Sequence, residues 1–153
     1  MSRQLVIMRH GSAAISAPSD VLRPLLKQGE DEVHSACRHF PFYPAAIYHS
    51  SLLRAKQTAA ILSSYYPKAR LVEVDWLTPE SRPQKVLTLL PPDVQCAALV
   101  SHQPLVSSLA ALLIEGSERY AAHIPYLDTA NFFHIQAEVF EAGCADLVNT
   151  YKG

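Results

Sequence analysis

The sequence contains little that would support a disulfide framework, a membrane span or a nucleotide-binding loop. Its three cysteines, Cys37, Cys96 and Cys144, lie far apart and form no Cys-x-x-Cys pair, so neither paired disulfides nor a cysteine-rich zinc site is expected. Its five glycines form no nucleotide-binding pattern. No apolar run approaches the ~20 residues that a bilayer requires. The run "LVIM" ends at Arg9 and is too short for a signal peptide.

A strong net charge of either sign is also missing. Thirteen basic and fourteen acidic side chains leave a formal net charge of -1, which gives no reason to expect binding to nucleic acid or to an anionic membrane. Any anion site must therefore be local. The length of 153 residues and the 49% hydrophobic content predict one folded domain over residues 1–153. Scattered, reduced cysteines favour a cytoplasmic location.

Apolar runs and prolines divide the chain into alternating strands and helices. Four strands are predicted first, over residues 5–8, 45–50, 70–77 and 95–102. Four helices are predicted between and after them, over residues 27–39, 51–66, 82–90 and 104–116, the last ending at Gly116. In the second helix we expect one side to carry Leu53, Gln57, Ala60, Ile61 and Ser64. Two late strands, 130–139 and 144–151, resemble a hairpin.

The alternation of strands and helices indicates the fold class. It predicts a three-layer α/β/α sandwich with a mainly parallel central sheet. Residues 11–24 have no clear period and are predicted to form a loop. Because ligands bind beyond the carboxyl ends of parallel strands, the polar residues that follow each strand are the candidates for function.

Three separate segments carry side chains suited to binding a phosphoryl group at that edge. The first strand runs into Arg9 and His10, and the fourth runs into His102. Arg54 lies one turn into the helix after the second strand. Guanidinium groups offer bidentate donors to phosphate oxygens, and an unprotonated histidine can attack phosphorus. We therefore expect these four residues to form one pocket.

Two neighbouring features fit this interpretation. Gly11 has no side chain, so we expect its backbone to approach the phosphoryl group closely. Nearby arginines disfavour the imidazolium form, so we expect them to help keep His10 neutral near pH 7.

The motifs resemble those of the histidine phosphatase superfamily. "MRHG" follows the first strand, "SSLLRAKQTA" lies in the middle and "LVSHQPLV" comes late, in the order typical of that family. The length and the run D-x-x-R-P-L-x-x-x-G, from Asp20 to Gly29, resemble the small phosphohistidine phosphatases of the SixA type.

The resemblance implies a phosphoglycerate mutase-like fold. It also implies that His10 is phosphorylated, that Arg9 and Arg54 bind phosphoryl oxygens, and that His102 completes the pocket. Through the D-x-x-R-P-L run it also implies that Arg23 binds phosphate or substrate, while Gly11 is expected to bind substrate because it lacks a side chain. An ion pair with Asp20 is the alternative for Arg23.

Two departures from the family pattern bear on the substrate. Many members have an acidic residue after Arg-His-Gly, where this chain has Ser12. Larger members protonate the leaving group with a mid-chain carboxylate, for which Glu80 is a poor match. A general acid typically contributes about 100- to 10,000-fold, and a labile P–N bond needs it least. The expected substrate is therefore phosphohistidine on a signalling phosphotransfer protein.

Two alternatives stay open at this point. The first is a phosphomonoesterase acting on a small phosphate ester, and the second is a phosphate-binding module without catalysis. A metallohydrolase is disfavoured because His10 and His102 lack clustered carboxylates. No metal and no cofactor are expected.

Overall fold

The computed structural model describes residues 2–153, and these contain six β-strands and four α-helices. The strands are β1 (Arg3–Arg9), β2 (Ala46–Ser50), β3 (Arg70–Val74), β4 (Cys96–Ser101), β5 (Phe132–Ala137) and β6 (Asp146–Tyr151). The helices are α1 (Lys27–Cys37), α2 (Leu53–Tyr65), α3 (Pro83–Leu89) and α4 (Leu105–Glu115). Short 3-10 helices lie at Asp20–Leu22, Asp75–Leu77 and Glu118–His123. None of the helices within residues 2–153 is long and apolar enough to cross a membrane.

All six strands form one sheet in the order β3-β2-β4-β1-β5-β6. Strands β1 to β4 pair in parallel, while β5 pairs antiparallel with both β1 and β6. The predicted mainly parallel sheet is therefore confirmed, and so is the pairing of the two late strands. Parallel pairing brings the carboxyl ends of β1, β2 and β4 to the same edge of the sheet.

The sheet is covered on both faces, which confirms the three-layer sandwich. Side chains alternate along β1: Leu5 and Ile7 join one buried cluster, and Val6 and Met8 join the other. The first cluster contains most of the buried apolar side chains of α3 and α4, and the second contains most of those of α1 and α2. Both faces of β1 are apolar because both are buried, as is usual in parallel sheets.

Helices α3 and α4 begin and end near the proline and glycine residues that predict their ends. Pro83 occupies the first turn of α3, and Pro104 is the residue just before α4. Gly116 ends α4 with a left-handed φ of 85°, and its amide donates to the carbonyl of Leu112. A side chain would be strained there, so glycine fits the position.

The predicted face of α2 is wrong. The residues of α2 that are buried are Arg54, Ala55, Thr58, Ala59 and Leu62. Of the expected positions, Leu53, Gln57 and Ile61 are half-buried, while Ala60 and Ser64 are exposed. Small alanines let the helix approach the sheet closely, so the buried side carries little apolar volume and is hard to recognise in the sequence.

The third strand is shorter than predicted. β3 ends at Val74, and Asp75–Leu77 forms a 3-10 helix instead of extending the strand. This turn buries Trp76 and Leu77 against the α3–α4 face of the sheet. Burial of these two large side chains explains the departure from the alternating strand pattern.

Candidate functional site

The candidate site lies at the carboxyl edge of the sheet, beyond β1, β2 and β4. Arg9 at the end of β1 pairs in register with Ser101 at the end of β4. The amide of His10 donates to the carbonyl of Ser101 at 3.0 Å. On the other side, the amide of Ala130 lies 3.1 Å from the Arg9 carbonyl and 3.0 Å from that of His10. Backbone contacts on both sides therefore fix the end of β1.

His10 is buried and neutral at the end of β1. Its Nδ1 lies 2.7 Å from the carbonyl oxygen of Gly11. A carbonyl only accepts, so Nδ1 carries the proton and Nε2 keeps a free lone pair. The pKa of His10 is lowered to about 4, mainly because the ring is buried; the hydrogen bond to Gly11 opposes this decrease, and the positive charges of Arg54 and Arg9 add to it. The expected effect of the arginines is present, but desolvation is the larger cause.

His102 lies beside His10, with their ring centroids 5.0 Å apart. Its Nε2 is 2.7 Å from the hydroxyl of Ser50 at the end of β2. Its Nδ1 is buried and has no hydrogen-bond partner among the described residues. Burial lowers the pKa of His102 to about 3, and the neighbouring His10 and Arg54 contribute to the decrease. Both imidazoles are therefore neutral at pH 7.

Arg54 lies in the first turn of α2 and is 5% exposed. Its Nη1 donates to the backbone carbonyl of Asp20 at 2.9 Å, and its Nη2 lies 3.3 Å from the Asp20 carboxylate. Its Nε is buried and, within residues 2–153, has no partner. A guanidinium with a buried, unpaired donor is suited to bind an additional oxyanion.

Arg23 reaches the same region through Asp20. Its Nη1 forms an ion pair with the Asp20 carboxylate at 3.0 Å, and its Nε donates to the carbonyl of Ala14. The hydrogen bond from Arg23 lowers the pKa of the Asp20 carboxyl. The ion-pair alternative for Arg23 is thus present, and Asp20 joins Arg23 to Arg54.

Arg9 is held from the opposite side, by the segment before β5. Its Nη1 donates to the Tyr126 hydroxyl at 3.1 Å and to the Leu127 carbonyl at 3.0 Å. Its Nε is buried without a partner in the described part of the chain. Arg9 therefore also keeps a donor for a ligand.

Close packing against α1 requires a residue without a side chain at Gly11. A Cβ at this position would lie 2.7 Å from the carbonyl oxygen of Gly29 and 3.0 Å from a methyl group of Val33, so a side chain would clash with α1. Its amide donates to the hydroxyl of Thr58 on α2 at 3.1 Å. The glycine allows α1 to pack closely against the end of β1, and its N–H is already bonded within the protein.

The two positions that depart from the family pattern have distinct surroundings. Ser12 donates through its amide and its hydroxyl to the carboxylate of Glu32, which also accepts from Thr129. Glu80 is exposed, and no hydrogen bond or ion pair within residues 2–153 joins it to the site. The structure therefore provides no support for Glu80 as a general acid.

The arrangement can bind a tetrahedral oxyanion and attack it. Buried guanidinium donors and a neutral imidazole with a free Nε2 are the groups that phosphoryl transfer requires. Across residues 2–153 no three histidine, cysteine or acidic side chains are grouped so as to hold a metal ion.

Three residues at this edge have no role in the predictions from the sequence. Ser50 is the first residue of the S-x-L-x-R-A-x-Q-T motif and Thr58 is its last, so the motif was the signal available for both. Tyr126 had no local signal, because 117 residues separate it from its partner Arg9.

Comparisons with known proteins are consistent with this geometry. The model of the Histidine phosphatase superfamily (branch 1) matches residues 5–95. Among solved structures, the protein histidine phosphatase SixA complexed with tungstate is 26% identical, with a TM-score of 0.81 over 97% of this chain and 96% of that one. No curated protein sequence matches the chain.

Two more distant structures share the fold. The mycobacterial glucosyl-3-phosphoglycerate phosphatase is 17% identical, with a TM-score of 0.76 over 97% of this chain and 98% of that one. Phosphoserine phosphatase of Entamoeba histolytica is 15% identical, with a TM-score of 0.72 over 99% and 98%. At these identities the likeness shows the fold alone.

Proposed function

Since this chain belongs to the histidine phosphatase superfamily, we propose that it removes phosphate from phosphohistidine on a signalling phosphotransfer protein, with His10 as the nucleophile. The family and the likeness to SixA support a phosphatase. The whole of residues 1–153 acts as one domain in this proposal, and SixA is matched over nearly the full chain. The location proposed is the cytoplasm, which suits the free thiols of the three cysteines.

One observation carries the proposal: the hydrogen bond from His10 Nδ1 to the carbonyl of Gly11. It leaves the lone pair of Nε2 free to attack phosphorus. A new bond forms between His10 Nε2 and phosphorus while the P–N bond of the substrate breaks. The electron pair of the broken bond stays on the leaving nitrogen, which takes a proton from water. A water molecule then attacks phosphorus, releases inorganic phosphate from His10 and gives its proton to solvent.

The arginines supply the charge that the transferring group needs. Arg9 and Arg54 each have a buried Nε that has no partner among residues 2–153 and can donate to a phosphoryl oxygen. Positioning and electrostatic stabilisation account for most of the catalysis of phosphoryl transfer. We assign Arg23 a supporting role, because it reaches Arg54 through Asp20.

Two features favour a protein-bound phosphohistidine over a small phosphate ester. Glu80 is exposed, and no hydrogen bond or ion pair within residues 2–153 joins it to the site, so the proposed reaction has no strong general acid for the leaving group. The loop that carries Asp20 also exposes large apolar side chains, with Ile15 95%, Val21 50% and Leu22 51% exposed. Such a surface beside the site suits a folded partner.

The proposal is tested with wild type and His10→Ala. Both are incubated, with chelator present, with a phosphohistidine-bearing phosphotransfer domain and with an aryl phosphate. We expect wild type to prefer the phosphotransfer domain and to trap an acid-labile phosphoryl label, and His10→Ala to lose turnover and label. Unchanged turnover in His10→Ala contradicts the mechanism, and equal turnover of both substrates contradicts the specificity. Binding of phosphate without turnover by wild type would indicate the non-catalytic module.

A further inference from the structure

The neutral imidazole of His102 has two possible tautomers, and the surroundings of the ring determine whether Nδ1 or Nε2 carries the proton. The ring is neutral at pH 7, because burial lowers its pKa to about 3. Nε2 lies 2.7 Å from the Ser50 hydroxyl, while Nδ1 is buried and has no partner in the described residues. The centroid of the His102 ring lies 5.0 Å from that of His10. A neutral imidazole has one donor and one acceptor nitrogen, so the two tautomers present opposite groups to the site.

The hydrogen bonds of Ser50 separate these tautomers. Ser50 is fully buried, and its hydroxyl oxygen already accepts the amide of Leu52 at 3.1 Å. If His102 carried its proton on Nε2, the Ser50 oxygen would accept twice and its own proton would have no acceptor among residues 2–153. If Nε2 is bare, the Ser50 hydroxyl donates to it, and only Nδ1–H is left without a partner among the described residues, where a ligand oxygen can accept it. A buried, unpaired hydroxyl proton costs about 1–3 kcal/mol, so the second arrangement is favoured.

We propose that Ser50 is a positioning residue that holds His102 with its proton on Nδ1, so that Nδ1–H donates a hydrogen bond to the phosphoryl group as it transfers. The catalytic part of this inference rests on the proposed function. In the other tautomer the Nδ1 lone pair would face phosphoryl oxygens and repel them. Ser50 therefore acts through His102 and touches no substrate.

The tautomer is measured first, in the ligand-free protein. Nitrogen-15 NMR of the histidine side chains of wild type distinguishes a protonated Nδ1 from a protonated Nε2. We expect His102 to be protonated on Nδ1. We also expect titration with inorganic phosphate to change the chemical shift of the Nδ1–H group. A proton on Nε2 in wild type overturns the inference, whether or not the protein turns over any substrate.

Two matched variants then test the role of the hydroxyl. Ser50→Ala removes it, while Ser101→Ala removes the hydroxyl of another buried serine at a strand end, which donates to the carbonyl of Leu77 at 2.6 Å and not to a histidine. In Ser50→Ala we expect a mixture of His102 tautomers and a kcat lower by about 10- to 100-fold, since loss of a whole donor to developing negative charge costs about 100- to 1,000-fold. Ser101→Ala should keep the wild-type tautomer and a kcat within about threefold.

The outcomes are distinguishable from failure of the proposed function. A shifted tautomer with unchanged kcat in Ser50→Ala overturns the role of Nδ1–H. An equal loss of kcat in both serine variants, with the tautomer unchanged, overturns the role of Ser50. If wild type hydrolyses no phosphate ester or phosphohistidine, the proposed function fails, while the tautomer and the shift with inorganic phosphate still decide the inference.

Discussion

At the scale of single residues, the site combines two neutral imidazoles with buried guanidinium groups. His10 and His102 are 7% and 2% exposed, and their pKa values fall to about 4 and about 3 from 6.5. Desolvation is the main cause in both cases. The same burial that keeps His10 nucleophilic at neutral pH therefore makes the folded protein sensitive to acid.

We predict that the free energy of unfolding decreases as the pH falls from about 6.5 towards 4. In this range both histidines bind protons in the unfolded chain, where their pKa is near 6.5, but stay neutral in the folded protein. The unfolded state binds more protons, so stability rises with pH through this range and is largest above it. Each pKa unit of difference corresponds to about 1.4 kcal/mol. Urea unfolding of wild type from pH 4 to pH 7 measures the slope.

The control for this prediction is His10→Asn, which removes one of the two titrating groups. Its stability should depend less steeply on pH between about 4 and 6.5 than that of wild type. Equal slopes for wild type and His10→Asn would contradict the prediction.

At the scale of helices and strands, the sequence predicts the features that a few neighbouring residues determine. The strands and helices were predicted in the right order because apolar runs, Pro83, Pro104 and Gly116 mark them within a few residues. The buried face of α2 could not be predicted, because alanines lie on both of its sides and Arg54 is itself buried. Burial of an arginine contradicts any pattern that assumes charged side chains face solvent.

In the candidate site, the sequence predicts the main residues but not the side chains that contact them. Arg9, His10 and His102 could be placed together from sequence, because parallel strands bring their carboxyl ends to one edge. Their partners could not, since Asp20 lies 34 residues from Arg54 and Ser50 lies 52 residues from His102. Such contacts depend on the conformations of loops, which apolar periodicity does not describe.

The link between α2 and the end of β1 gives a prediction of its own. The Thr58 hydroxyl accepts the amide of Gly11 at 3.1 Å and donates to the carbonyl of Arg54 at 2.8 Å. We predict that Thr58→Val, which keeps the shape, lowers the free energy of unfolding by about 1–3 kcal/mol, because it leaves the buried Gly11 amide unpaired. Phosphatase activity should fall as well, because Gly11 also supplies the carbonyl that orients His10. Urea unfolding and kcat/KM measure the two effects.

Thr88→Val is the matched control for that variant. Thr88 makes the same bond one turn back within its own helix, to the carbonyl of Gln84 at 3.1 Å, but it is exposed and, within residues 2–153, accepts from no other segment. Its loss should change stability by no more than about 0.5 kcal/mol. Equal losses in the two variants would assign the effect to the bond within the helix rather than to Gly11.

At the scale of the whole molecule, the segment between β1 and α1 joins the site to the surface. This β1–α1 loop, residues 10–26, is closed at its base, where the amide of Leu26 donates to the Ser12 carbonyl and that of Ala14 donates to the Pro24 carbonyl. Its outer part carries Asp20, which contacts Arg54. A cavity of about 310 Å³ in the loop is lined by Ile15, Ala17, Ser19, Asp20 and Arg23. A partner that presents a phosphoryl group to Arg54 must therefore pass next to this loop.

The exposed apolar side chains of the loop lead to the last prediction, which rests on the proposed protein substrate. We predict that the double variant Ile15→Ser, Leu22→Ser raises KM for a phosphohistidine-bearing phosphotransfer domain about tenfold, since a loss of about 1.4 kcal/mol follows when roughly 55 Å² of apolar contact is removed. KM for free phosphohistidine should stay unchanged, because a small substrate has no surface to lay on the loop. Leu89→Ser, in the exposed end of α3 on the other layer, controls for the loss of a surface leucine and should leave both values unchanged. Equal increases for the small and the protein substrate in the double variant would show that the loop shapes the pocket and does not hold a partner.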